Sequence, residues 1–496
     1  MPLAPVSAVL LGDPLGDGSL WSYLVRSDGV SVEPPALVHG PAPRGGEIAV
    51  SILSSSLLLT QTQAADGART HALVDVSGAM PSEPAPVVLA PAPTGHVVQI
   101  EALADDVLVF AAADAFGAAA GLWDTSYVGT TVAAPQQLSS DEPGHGYTAF
   151  ATAPADDAVL GLRTELATGI DNLVWMPRAP ADPDAAAVVT AFDQDWQQIT
   201  QLGFLADAEH VWFTGTTESA DVEDLFVDDL DPGTAPVRVN PPLAAEDQLH
   251  DLRLSPDRST FLFWAGANAM GGGTQGDVFM VSVADGVVGA PVDLTPGDRT
   301  AHWDVSVSSQ WGWVAYRVGD TPDAIHVEIV GIAGGVAGAP LVLAEVHSLT
   351  NLAFAVDDAA VFTIGDDGVL RRAGLGAELG PAETVTDVLA VGLPRPSPSG
   401  AWLAVMGAGV ESGYSHHAID LGGALPGTTL RIDVPPEPGA EVSTQLGFTP
   451  DESYAYYTEF LDPGTPRALR ATRLVEGGAT LLLGHTFLDY GFLPPP

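Results

Sequence analysis

Six of the twelve histidines stand where a loop-like stretch gives way to an apolar run: His96, His145, His250, His302, His347 and His485. A neutral imidazole offers a lone pair to a transition metal, and several converging on one point would make a metal centre. The competing reading is a turn histidine that hydrogen-bonds nearby backbone. A divalent metal is expected only if the six loops meet at a common axis; otherwise no cofactor is expected.

His416 and His417 follow Gly413-Tyr414-Ser415 in what reads as a surface loop. A serine beside a histidine suggests nucleophilic catalysis, but no Gly-x-Ser-x-Gly elbow occurs anywhere. Asp221, Glu223, Asp224, Asp228, Asp229 and Asp231 supply carboxylates that suit Ca²⁺. They lack the Asp-x-Asp-x-Asp-Gly spacing of calcium loops, so a solvated loop between strands is expected. A phosphate-binding Walker loop needs a lysine, and lysine is absent. Gly271-Gly272-Gly273 reads as a loop between strands. Trp212, Trp264, Trp311, Trp313 and Trp402 could stack on sugars, but packing between sheets is the stronger expectation.

Composition narrows the partners. The formal net charge is −46, with 63 acidic residues against 17 arginines. Duplex nucleic acid is therefore a poor partner and none is expected, and an anionic membrane surface is disfavoured. No apolar run approaches the roughly 20 residues that span a bilayer, so no membrane insertion is expected. The absence of cysteine removes disulfides, thiolate catalysis and Cys-bound metal. Met1-Pro2-Leu3-Ala4-Pro5-Val6 has no basic n-region and does not read as a secretory signal. The expected residence is secreted, periplasmic or cell-surface after removal of a targeting segment, with the cytoplasm as the alternative.

The elements that must carry these residues are short strands. Nine times an apolar run ends in a small polar corner and resumes as a second apolar run, at 48–56, 97–106, 147–157, 201–207, 252–257, 303–310, 352–358, 393–400 and 446–451. The period is about fifty residues, enough for four strands and their turns. Each second strand is almost wholly apolar, as in Phe261-Leu262-Phe263-Trp264, which requires cover on both faces. Third strands alternate and end in turns such as Asp285-Gly286 and Asp367-Gly368, suited to tight hairpins. Fourth strands open with Ala-Pro at 85, 134, 235, 290 and 339. Proline cannot donate to a ladder and belongs at a sheet edge.

Sheets covered on both faces and repeated at a fixed period predict an all-β fold, a β-propeller of four-stranded blades. About ten repeats are expected. Residues 7–40 supply three strands and the tail 486–492 a lone one, so pairing of the N- and C-terminal strands would close the ring. A single body over 1–496 is expected. Two tandem smaller propellers, split near 245, are the alternative. Thr200-Gln201-Leu202-Gly203-Phe204 recurs as Thr444-Gln445-Leu446-Gly447-Phe448, half a chain apart.

The corner Ser255-Pro256-Asp257 with Phe261-Leu262-Phe263 resembles the repeat of TolB-type β-propellers. Pro396-Ser397-Pro398-Ser399-Gly400-Ala401-Trp402-Leu403 and Thr449-Pro450-Asp451-Glu452-Ser453-Tyr454 are two further copies. Val292-Asp293-Leu294-Thr295-Pro296-Gly297 is similar to that family's last strand. The resemblance covers most of the chain by period and three repeats by motif. It implies the fold and not the activity, since such propellers serve as scaffolds, peptidase partner domains and lyases. A pectate-fragment lyase of this fold class holds its metal through channel histidines. By that resemblance the six histidines would ring the channel mouth.

The functional expectation is a non-catalytic binding or scaffold module that presents loops to a protein or glycan partner outside the cytoplasm of a bacterium. Two alternatives stand beside it: a metal-dependent lyase or hydrolase at a histidine-lined channel mouth, and a structural component of a surface or appendage.

Overall fold

The chain is an all-β β-propeller in the computed structural model. The structure describes residues 6–493 apart from 13–19, 27–35, 40–46, 64–68, 76–83, 90–95, 114–118, 140–143, 179–186, 189–197, 217–221, 231–233, 268–274, 296–300, 320–324, 409–413, 434–440, 461–466, 476–479, 487–491 and scattered shorter gaps. Gly271-Gly272-Gly273 falls outside the described residues. A 3₁₀ turn at Leu349–Asn351 is the helical element among the described residues, and no helix there is long and apolar enough to cross a membrane.

Each unit is an antiparallel meander. Gln198–Phe204, His210–Thr216, Glu223–Asp229 and Val237–Arg238 pair in that order, and other units follow the same plan. The second strand explains why units stack. In Thr260–Ala267, Phe261 and Phe263 pack with Leu225 and Val227 of the preceding unit. Leu262 and Trp264, pointing the other way, pack with Val305, Val314 and Tyr316 of the next. All four aromatic and aliphatic side chains are buried. Each contributes about 1.5–3 kcal/mol through loss of apolar surface from water. A charged residue at any of the four would meet a neighbouring sheet, whichever face it took.

The corner between first and second strands has a repeated hydrogen-bond pattern. A buried hydroxyl accepts from the backbone N–H five residues on: Ser255 from Thr260, Ser308 from Trp313, Ser397 from Trp402, Thr449 from Tyr454, at 2.9–3.1 Å. Three residues after each hydroxyl the chain turns through positive φ, at Arg258, Trp311, Gly400 and Glu452. The unit ends with a second buried polar group. Ser139, Asn240 and Thr295 each accept from a third-strand N–H, of Leu122, Leu225 and Val278. Leaving such an N–H unpaired in a core costs about 1–3 kcal/mol, so these polar positions fix where each unit stops.

First strands of adjacent units are tied directly. Arg253 donates to the Val305 carbonyl at 2.9 Å, Arg395 to that of Leu446 at 3.1 Å, and Gln99 exchanges two hydrogen bonds with the Phe150 backbone. The Ala-Pro dipeptides at 85, 134, 235, 290 and 339 lie in or just before edge strands, as their missing N–H requires.

The expected division into about ten separate four-stranded sheets is not matched. Among the described residues, hydrogen bonding gives eight sheets: five of four strands and one each of five, seven and ten. The reason is local. Gln275 and Gly276 pair with His302 and Ala301, which joins two units into the ten-stranded sheet. The 14-residue strand Glu383–Pro396 pairs with Val369–Gly374 by its first half and with Trp402–Ala408 by its second, so no break separates those units. The tail also differs from expectation. Thr486 ends the strand Thr480–Thr486, which pairs with Arg467–Arg473, and 487–491 lie outside the described residues. The strand that pairs with Val6–Gly12 is Phe492–Leu493.

Candidate functional site

The six histidines fall on six separate units. His96 and His145 open the first strands His96–Leu103 and His145–Thr152. His302 is second in Ala301–Val307, and His250 is fourth in Asp247–Leu254. His485 departs from the expected place: it lies in Thr480–Thr486, the last strand of its sheet, opposite Ala468. The His250 ring packs on Trp264 at 4.8 Å between centroids, and burial lowers its pKa. His347 is half exposed and bonds to the Ile325 carbonyl and, at 3.0 Å, to the Asp366 carboxylate, which raises its pKa. No group of three or more His, Asp or Glu side chains among the described residues is arranged to hold a metal.

Two loop expectations are corrected. His416 and His417 lie inside the strand Tyr414–Asp420, 0% and 9% exposed. Alternation puts Ser415 and His417 on one face, where Ser415 Oγ and His417 Nε2 are 2.7 Å apart. The imidazole lies across Gly407, where any Cβ would come within 2.9–3.0 Å of it. Burial lowers the His417 pKa, so the ring is neutral near pH 7. Asp433, itself buried, is bound by the Arg431 guanidinium at 2.8 Å. Serine and histidine are thus paired as in a hydrolase, but with the hydroxyl only 4% exposed.

The acidic stretch is likewise a strand from Glu223 onward, Glu223–Asp229. Its Asp228 is 3% exposed, and neither oxygen has a hydrogen-bond partner of normal geometry among the described residues. Burial first, then the charge of Asp229, raises its pKa from 3.8 to about 7.

Open concavities lie at the other end of the first strands, on the face that carries the corners. They recur between neighbouring units, with different linings. One, of about 760 Å³, is acidic: Asp157, Asp207, Glu209 and Asp229 surround Trp175 and His210. There His210 Nδ1 meets Asp207 Oδ2 at 2.7 Å. A second, of about 680 Å³, is walled by the corners 255–260 and 309–312 and by the third strand Gln275–Ala284. Its polar lining is Ser255, Ser259, Thr260, Ser282, Ser309, Gln310 and the single carboxylate Asp257; Trp311 supplies an indole. A third, about 300 Å³, has Asp357, Arg372 and Ser399 in its lining. Volumes of about 300–1,000 Å³ are those of ligand clefts. Sequence reasoning missed the Ser282 and Gln310 positions, because an alternating serine and a corner glutamine carry no chemical signal until two units meet. Trp311, expected to pack between sheets, is half-buried and lines the second groove.

No protein-family profile and no curated protein matches the chain. Solved structures of propeller type do resemble it. A puromycin-hydrolyzing peptidase of Mycobacterium tuberculosis is 16% identical, with 69% of this chain and 54% of that one covered and a TM-score of 0.37. A structure from a study of two prolyl endopeptidases is 13% identical, with 75% and 54% covered and a TM-score of 0.36. An oligogalacturonate lyase in complex with manganese is 12% identical, with 75% and 99% covered and a TM-score of 0.38. The chain spans about half the length of the two peptidases. At these identities the likeness concerns the fold alone.

Proposed function

We propose that this propeller is a non-catalytic binding module, of TolB type by its corner motif, acting outside the cytoplasm on a protein or glycan partner. The observation that carries the reading is the row of grooves between units: concave, of ligand size, each lined by a different set of polar groups. The Ser415–His417 pair supports it from the other side, since a nucleophile closed off from solvent cannot meet a substrate. The six histidines remain the basis of the alternative, a metal-dependent lyase or hydrolase, which requires them to converge. That alternative would bring a polyanionic substrate to a surface of charge −46.

The finer architecture belongs to the same proposal: one body over residues 1–496, closed by pairing of its N- and C-terminal strands. The pairing of Val9 with Leu493 and of Leu10 with Phe492 supports the closure. Affinity capture with the full chain from its native cell, followed by titration with the purified captured component, tests the function. Saturable binding is expected. Failure of every captured component to rebind, together with turnover of a substrate by the pure protein, would contradict it.

A further inference from the structure

We infer that the groove between residues 255–260 and 309–312 is a subsite for an uncharged, polyhydroxylated ligand, the chemistry of a neutral glycan; this rests on the binding reading above. Three features of the lining point there. The first is a half-buried indole in the lining. Trp311 sits at the corner with φ 57°, held by its own N–H to the Ser308 carbonyl at 3.0 Å, and packs in part on the apolar cluster of Val305 and Val314. A ring fixed by backbone and core, with a face in a groove, is suited to the C–H face of a pyranose.

The second feature is uncommitted hydrogen-bonding capacity. The Ser282 hydroxyl and the Gln310 carboxamide make no hydrogen bond to protein among the described residues. Thr260 stands directly opposite Ser282 on the neighbouring strand, so two hydroxyls share one face of the sheet. Gln310 comes from the next unit, and the groups therefore line the two opposite walls. Sugar hydroxyls donate and accept, and they match such a mixed lining without proton transfer or charge.

The third feature is charge. No arginine is among the described residues that line the groove, although Arg258 belongs to the same corner. Its one carboxylate, Asp257, accepts from Ser255 Oγ at 2.5 Å through Oδ1, which keeps it ionised and leaves Oδ2 for a ligand hydroxyl. An anionic sugar would meet that carboxylate inside the groove, while Arg258 is not part of the lining. A cationic ligand would find four carboxylates in the groove 157–230 and only one here.

The test is calorimetric titration of the full chain with neutral cello-, manno-, xylo- and chito-oligosaccharides, with oligogalacturonate as the charged comparison. Saturable binding of at least one neutral series is expected. It should weaken by about tenfold or more in Trp311→Ala, the loss of one aromatic contact worth roughly 1.4 kcal/mol. Trp311 also touches the core, so the double variant Gln310→Ala/Ser282→Ala, the first exposed and the second half-buried, should give a similar loss with an unchanged unfolding temperature. The inference is overturned if no neutral series binds, if oligogalacturonate binds more tightly, or if binding ignores both variants. Should a captured protein rebind equally to wild type and to both variants while no sugar binds, the binding reading stands and this inference falls.

Discussion

The Asp358 carboxylate crosses to the preceding unit and closes its corner: Oδ2 accepts from Ser308 Oγ at 2.6 Å and from the Gly312 N–H at 2.9 Å. Asp358 is itself the positive-φ residue of its own corner, and its carbonyl accepts from the Trp313 indole at 3.1 Å. One residue thus belongs to two consecutive turns. Asp358→Ala removes the acceptor of these two donors, each worth about 0.5–1.5 kcal/mol, and of a longer bond from the Gln310 N–H at 3.4 Å. A loss of about 1–3 kcal/mol in thermal or denaturant unfolding is expected, and a loss below about 0.5 kcal/mol would show the link to be incidental.

Asp228 gives a pH signature. Its folded-state pKa of about 7 lies above the ordinary 3.8, so the folded protein keeps a proton that the unfolded chain releases. The associated stability is complete below about pH 4 and is lost as pH rises through about 7. Asp228→Asn should therefore be more stable than wild type at pH 8, by about 1–3 kcal/mol for relief of a buried unpaired charge, and indistinguishable from it at pH 4. Equal stability at pH 8, measured by denaturant unfolding, would place the carboxylate in contact with water.

His417 works in the opposite sense. Its lowered pKa means that the unfolded chain takes up the proton first, so its contribution is present above pH 6.5 and falls away below it. Ser415 Oγ bonds that neutral ring out of reach of solvent. A fluorophosphonate probe should leave Ser415 unlabelled in the folded protein. Labelling of Ser415, located by peptide mass spectrometry, would mean that this pair is a working nucleophile.

The chain holds no cysteine, which makes its terminal pairing testable by crosslinking. Adjacent antiparallel pairs alternate between hydrogen-bonded and closer non-hydrogen-bonded geometry. Of the double variants Val9→Cys/Leu493→Cys and Leu10→Cys/Phe492→Cys, one should form a disulfide on mild oxidation, seen as a mobility shift without reductant. Neither crosslinking would count against closure of the ring.

Much of this fold can be read in the sequence, and the reasons are physical. An unbroken apolar second strand such as Phe261-Leu262-Phe263-Trp264 has one explanation, cover on both faces, and both faces are covered. Ala-Pro has few places in a sheet other than an edge. What was not legible depends on contacts between units. His416-His417 follows a Gly-Tyr-Ser loop signature and looks polar, yet Ser415 and Gly407 make a buried slot for the ring. Asp228 looks solvated because carboxylates usually are; alternation puts it on the face of Phe226, which packs against the preceding unit. The run 383–396 hides a boundary between units because one long strand serves both. The grooves are invisible for the same reason, since each is half made by a unit about fifty residues away.

The central claim is that this protein holds its partner without transforming it. The most direct measurement is intact-mass analysis of the captured and rebound partner, or of a bound oligosaccharide, after prolonged incubation with the pure full-length chain supplied with Mn²⁺ or Zn²⁺. The account predicts saturable binding with the ligand's mass unchanged. Product accumulating over many turnovers, and abolished when His145 or His250 is replaced, would contradict it.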